Sequence, residues 1–197
     1  MSKIILMMSV SLDGYIEGPN REIDWHMVDA ELHRHFNHEI RKLGALLSGR
    51  VTYELMAGFW PTADEDPEAA PEVVEFAGIW RNIPKVVFSR TLERGERHTT
   101  IVREVVPEEI QALKERSIGD LGLGGADLAA EFMRQDLVDE FWLYIHPVLI
   151  GRGKPLFPET DTLTRLRFIE ARLFGNGVVQ LRYERADVAD AANAEEG

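Results

Sequence analysis

An α/β fold built on a mainly parallel sheet with an antiparallel closing edge is what this chain predicts, and three observations carry it. Apolar runs of strand length alternate with segments of helical periodicity, the pattern of strands joined through crossover helices. Two of those strands end in glycine and pass at once into a helix, at Gly49-Arg50 and at Gly124-Gly125-Ala126. The last two strand-like stretches are separated only by Gly175-Asn176-Gly177, whose tolerance of positive φ folds a hairpin rather than a crossover.

The first apolar run, centred on Ile4-Ile5-Leu6-Met7-Met8, is too short to span a membrane and reads as a strand at 3–11 buried on both faces. Leu32, Phe36, Ile40 and Leu43 recur at helical spacing and set a helix at about 29–43. A strand at 45–48 turns at Gly49 into a helix at 50–58. An acidic Pro/Ala loop follows, carrying Asp64, Glu65, Asp66, Glu68 and Glu72. A helix is expected at about 71–81, then strands at 84–89, rich in β-branched residues, and at 99–104. Pro107 suits the first turn of a helix at 107–116, because its fixed φ and missing N–H cost nothing there. A strand at 118–123 leads into a helix at 125–135. In the strand at 138–146, Phe141, Leu143 and Ile145 alternate with Trp142, Tyr144 and His146, so both faces need cover. The hairpin of 168–174 and 178–183 closes the sheet. Residues 1–185 form one domain on this reading, and the Ala-rich acidic end, 186–197, is a flexible tail.

Composition narrows the chemistry. With 197 residues, 45% of them apolar, the chain can bury one sizeable core. It has no cysteine, which excludes disulfides, thiolate metal sites and a cysteine nucleophile. A formal charge of −12 argues against nucleic acid and anionic membranes as partners, and a cytoplasmic protein is expected. His26, His33, His35 and His38 include no pair at the i, i+4 spacing that sets two ligands on one helix face, so no metal is expected.

Three strand ends carry phosphate-recognition chemistry. Gly124-Gly125 lets a ligand approach the backbone where helical N–H groups open. Gly49-Arg50-Val51-Thr52 offers the same with a guanidinium fork and a hydroxyl, and Phe88-Ser89-Arg90 ends a strand in a hydroxyl and a cation. Together they point to a nucleotide with several phosphates, although each turn alone also serves packing.

Five motifs stand in register over residues 2 to 185. They are Ser11-Leu12-Asp13-Gly14-Tyr15-Ile16, Gly49-Arg50-Val51-Thr52-Tyr53-Glu54, Lys85-Val86-Val87-Phe88-Ser89-Arg90, Gly124-Gly125-Ala126-Asp127, and Val138-Asp139-Glu140 leading to Pro147-Val148-Leu149-Ile150-Gly151-Arg152-Gly153-Lys154-Pro155-Leu156-Phe157. In these the chain resembles stand-alone members of the RibD C-terminal domain family, the reductase part of bifunctional riboflavin-biosynthesis enzymes. That family shares the dihydrofolate reductase-like fold, a twisted central sheet with helices on both faces.

The resemblance implies NADPH laid across the strand ends. Met8, Ser9, Asp13, Gly14 and Ile16 would neighbour the nicotinamide. Gly49, Arg50 and Thr52 would hold the diphosphate and 2′-phosphate, and Phe88, Ser89 and Arg90 the 2′-phosphate and adenine. Gly124, Gly125, Ala126, Asp127 and Leu128 would face the pyrophosphate, the two glycines joined by a cis peptide as in relatives. The implied reaction is hydride transfer to a C=N or C=O bond of a small planar heterocycle, pterin- or pyrimidine-like. Glu31 falls at the offset of the catalytic acid of dihydrofolate reductases with Asp29 beside it, and both equally fit as first-turn acids that complement a helix dipole. Trp25, Phe59 and Trp60 would be flat walls for the substrate, with Phe36 in the core. Met7 and Ile83 stand where relatives carry a lysine and an arginine on the substrate side, so the resemblance leaves the substrate open. A homodimer through the sheet edge is also implied. The rival reading is a protein that binds NADP(H) and does not turn over.

Overall fold

The computed structural model describes residues 1–161 and 163–186. Among the described residues ten strands and five α-helices follow one another as β1 (Ile4–Ser11), β2 (Tyr15–Glu17), α1 (Ala30–Ile40), β3 (Ala45–Gly49), α2 (Arg50–Ala57), α3 (Pro71–Asn82), β4 (Lys85–Phe88), β5 (Thr99–Val102), α4 (Pro107–Arg116), β6 (Leu121–Gly124), α5 (Ala126–Arg134), β7 (Glu140–His146), β8 (Lys154–Pro155), β9 (Leu166–Leu173) and β10 (Val179–Arg185), with a 3-10 turn at Trp60–Thr62. Eight strands form one sheet in the order β5-β4-β3-β6-β1-β7-β10-β9. From β5 to β7 all pairs are parallel, and β10 and β9 are antiparallel. This is the dihydrofolate reductase-like α/β fold, with its antiparallel C-terminal edge.

Side-chain parity explains the layers. Ile4 and Leu6 of β1 pack with Leu121 and Leu123 of β6, Ile110 of α4 and Phe132 of α5. Ile5 points the other way, into a cluster with Leu32 of α1, Trp142, Tyr144 and Phe174. A third cluster, Tyr53, Phe76, Trp80 and Val87, fixes α2 and α3 against β4. Phe36 is a core residue, its ring edge-on to Tyr144 at 4.6 Å.

Several expected boundaries move for visible reasons. The helix of 29–43 ends at Ile40 and begins after Asp29, whose carboxylate caps it by accepting the amide of Leu32 at 2.9 Å. The strand expected from 118 starts at Leu121, with Ile118 fully exposed. The ribbon of β2 with β8 was not expected; it forms because Gly153 lies against the Glu17 carbonyl, 2.0 Å from where a Cβ would stand. All peptide bonds among the described residues are trans, which corrects the cis bond expected between Gly124 and Gly125. No helix among the described residues is long and apolar enough to cross a membrane. Beyond Ala186 the expected tail lies outside the described residues.

Candidate active site

A cleft of about 660 Å³ opens at the carboxyl ends of the parallel strands, where α/β sheets bind ligands. Its floor is the β6–α5 junction. Gly125 holds φ at 92°, and a Cβ there would stand 2.6 Å from Thr52 Oγ1. Glycine is therefore required twice, by conformation and by space. The Gly125 amide donates to the thioether of Met8 at 3.2 Å, and Gly124 lies beneath Met8 and Thr52.

Two helices present their N-termini to this one cleft. α5 follows Gly125 and α2 follows Gly49, and neither cap residue has a side chain to satisfy the first-turn amides. Those N–H groups and the positive ends of two helix dipoles make an anion cradle.

Four cations line the cleft, each with a partner on this chain. Arg50 donates to Glu54 at 2.7 Å, one helical turn along. Arg90 lies 3.6 Å from Glu104. Lys154, from β8, reaches Asp127 at the start of α5 at 2.5 Å. Arg103 is pinned from behind, donating through one nitrogen to the carbonyls of Ser89 and Leu92 at 2.8 Å each. Ser89 Oγ accepts the amides of Thr91 and Leu92, which leaves its hydroxyl proton to donate elsewhere. The carboxylates facing these cations are exposed, and exposed ion pairs of this kind are weak.

Of the residues expected here, Ile16, Gly49, Arg50, Thr52, Phe88, Ser89, Arg90, Gly125, Ala126, Asp127 and Leu128 line the cleft. Ser9 sits in β1 beside Tyr144 of β7. Asp13 serves the loop after β1: it accepts the Ser11 hydroxyl at 2.5 Å and the amides of Ile150 and Gly151 at 3.3 and 2.7 Å. The Ser11 hydroxyl holds the Asp13 carboxyl below its ordinary pKa. Gly14, at φ 88°, completes that turn.

Asp29 and Glu31 lie outside the cleft lining. Asp29 is the α1 cap. Glu31 is exposed; its Oε2 accepts the Gly175 amide at 3.1 Å, with Arg172 at 3.8 Å, so it ties α1 to the β9–β10 turn. Beside Trp25 stand His26 and His146, whose ring centroids lie 4.3 and 5.6 Å from that of Trp25. Phe59 and Trp60 form a separate group with Phe76 and His33. Arg103, Lys154 and the buried His146 were not singled out from the sequence. Lys154 had a local signal, the Gly151-Arg152-Gly153-Lys154 run, whereas Arg103 and His146 read as ordinary strand-end residues.

Known proteins repeat this architecture. The chain is 36% identical over 185 residues to the uncharacterized protein YyaP of Bacillus subtilis, covering 92% of this chain and 94% of that one. It is similar in fold to a deaminase/5-amino-6-(5-phosphoribosylamino)uracil reductase of Thermotoga maritima, with a TM-score of 0.65 at 18% identity, over 94% of this chain and 57% of that larger protein. It is likewise similar to a dihydrofolate reductase of Enterococcus faecalis complexed with NADP(H), with a TM-score of 0.63 at 17% identity, covering 94% and 97% of the two chains. The model of the RibD C-terminal domain matches residues 2–180, and the chain belongs to that family.

Proposed function

We propose that this chain is a cytoplasmic NADPH-dependent reductase acting on a small planar heterocycle. The observation that carries the reading is the convergence of two side-chain-uncapped helix N-termini, at Gly49 and Gly125, on one cleft lined by Arg50, Arg90, Arg103 and Lys154. This donor set fits a dinucleotide diphosphate with a further phosphate. When bound, NADPH would supply the hydride. Gly125, Ala126 and Arg50 would hold the diphosphate, and Ser89 with Arg90 the 2′-phosphate. Arg103 would keep the Ser89–Leu92 turn in place, since it donates to both carbonyls.

Titration of the protein with NADPH and NADH tests this. NADPH is expected to bind about 10- to 100-fold tighter, the range of charge-assisted hydrogen bonds to one phosphate, and Arg90→Ala to remove most of the difference. Equal affinities would overturn the cofactor assignment.

One observation favours the non-catalytic reading: neither Asp29 nor Glu31 lines the cleft. NADPH oxidation followed against a panel of pterins and pyrimidines separates the two, because a binding protein takes up the nucleotide and oxidises none. A homodimer through the sheet edge belongs to the same proposal. It is supported by β9, an outer strand exposed along its whole length with Phe168 and Leu173 uncovered. Light scattering giving the 22.4 kDa monomer mass at micromolar concentration would reject it.

A further inference from the structure

His146 ends β7, in register with Ser11 at the end of β1 and therefore at the ligand-binding end of the sheet. Its side chain is fully buried. Nδ1 accepts the amide of Met27 at 3.0 Å. A backbone N–H can only donate, so Nδ1 carries no proton, and the neutral ring must carry its hydrogen on Nε2. Burial, with His26 beside it, pushes the pKa of His146 down to about 4 and keeps that neutral form at physiological pH. Yet Nε2 is itself buried with no acceptor among the described residues, and the same holds for Nε2 of His26. The two rings stack with centroids 5.2 Å apart and planes 18° apart, and Trp25, half-buried, stands edge-on to both. Buried donors are almost always paired, so this one asks for an acceptor from outside the chain.

We propose that the Nε2–H of His146 is the hydrogen-bond donor to the substrate, a planar heterocycle that offers an in-plane carbonyl oxygen or imine nitrogen and reaches His146 by displacing the half-buried Trp25 ring. This rests on the reductase reading of the cleft. In that reaction the hydride leaves NADPH and forms the new C–H bond, while the π pair of the C=N or C=O bond moves to the heteroatom. His146 stabilises the charge growing there. It does not supply the proton, because a neutral ring that lost it would become an imidazolate; water does, and NADPH departs as NADP⁺. What must yield is the Trp25 ring alone, held by the hydrogen bond from its Nε1 to the Glu22 carbonyl, while Met27 stays in place through its amide on His146 Nδ1 and its carbonyl, which accepts Asn176 Nδ2.

Lumazine, a planar pteridine dione with carbonyl acceptors, serves as the probe. In protein with 15N-labelled histidine, His146 is expected to show the Nε2–H tautomer, and its Nε2 signal to shift as lumazine is added, with and without NADP⁺. His146→Asn keeps an acceptor for the Met27 amide in its Oδ1 and lacks the Nε2–H. It should bind lumazine about tenfold more weakly with NADP⁺ affinity unchanged. An Nε2 signal that lumazine leaves unmoved, or a variant that binds it as the wild type does, would overturn the proposal. The wild-type spectra alone decide if the variant fails to fold. Loss of NADP⁺ binding in the wild type would instead strike the cofactor reading and leave the His146 result standing apart.

Discussion

The two ends of the central sheet treat polar groups in opposite ways. At the amino ends they satisfy one another, apart from Arg182 Nε, which is buried with no partner among the described residues. Lys3 Nζ donates to the buried Glu140 at 2.6 Å, and the other Glu140 oxygen takes the indole N–H of Trp142 at 2.8 Å with Arg182 at 3.6 Å. Asp139 accepts the Ile4 amide and Lys114, and Asp120 accepts the Lys3 amide. At the carboxyl ends the first-turn amides of α2 and α5 have no side-chain cap, the Gly125 amide rests on a thioether, and His146 Nε2 has no acceptor among the described residues. A closed network stabilises and has nothing left to offer a ligand. An open one costs stability and is available for binding, which is where local rules of structure are expected to break.

If that contrast is right, the ends can be damaged separately. The largest effect should come from Glu140→Ala, which strands the buried Trp142 Nε1 and takes one carboxylate from each of Lys3 and Arg182, leaving them Glu184 and Glu170. Removing one partner of a buried charged group costs about 3 kcal/mol or more, read by urea denaturation, while NADPH affinity should stay within about twofold. Weaker NADPH binding by a sample still fully folded would break the separation of the two ends.

Gly125→Ala is the converse. A Cβ at φ 92° is strained and would meet Thr52 Oγ1, so NADPH affinity should fall on the order of 100-fold, with about 1–2 kcal/mol lost in stability. Circular dichroism and a fluorescence titration on one sample check both. Unchanged affinity would mean that the glycine serves only the packing of α5 on α2.

Legibility in the sequence follows the same divide. Gly49, Ser89-Arg90 and Gly124-Gly125 could be read because the demand on them is local: a strand must stop, and a backbone must come close to something. The parity of β7 was legible because a period of two repeats over many residues. The ribbon of β2 with β8 was not, since strands of three and two residues carry no period and depend on Gly153 meeting a carbonyl far along the chain. Glu31 shows the limit most clearly. Its place in the first turn of a helix suited an acid at a dipole as well as a catalytic one, and its partner, Gly175, is 144 residues away. The His26–His146 stack is equally long-range, and nothing near either residue announces the other.

Acid should resolve the two ends through their titrating groups, with the smallest effect of the three. Burial lowers the pKa of His26, His33 and His35 below the ordinary 6.5 and takes His146 to about 4. Between those values the unfolded chain binds protons that the folded one refuses, so stability is whole above about pH 6.5 and is lost as pH falls toward 4. Glu140 behaves differently. Burial alone would raise its pKa, but Lys3, Trp142 and Arg182 outweigh that and hold it below the ordinary 4.5, so its contribution survives until pH falls below that value. Melting curves should therefore drop in two stages. The first, from pH 7 to 5, should lower Tm by roughly 2–4 °C, the equivalent of about 1 kcal/mol in a chain of this size. His146→Phe should reduce that first stage to the share of His26, His33 and His35 and leave the second, whereas Glu140→Gln should reduce only the second. A first stage of undiminished slope in His146→Phe would mean that the buried imidazole at the carboxyl end takes up no extra proton on unfolding, and that folding does not lower its pKa.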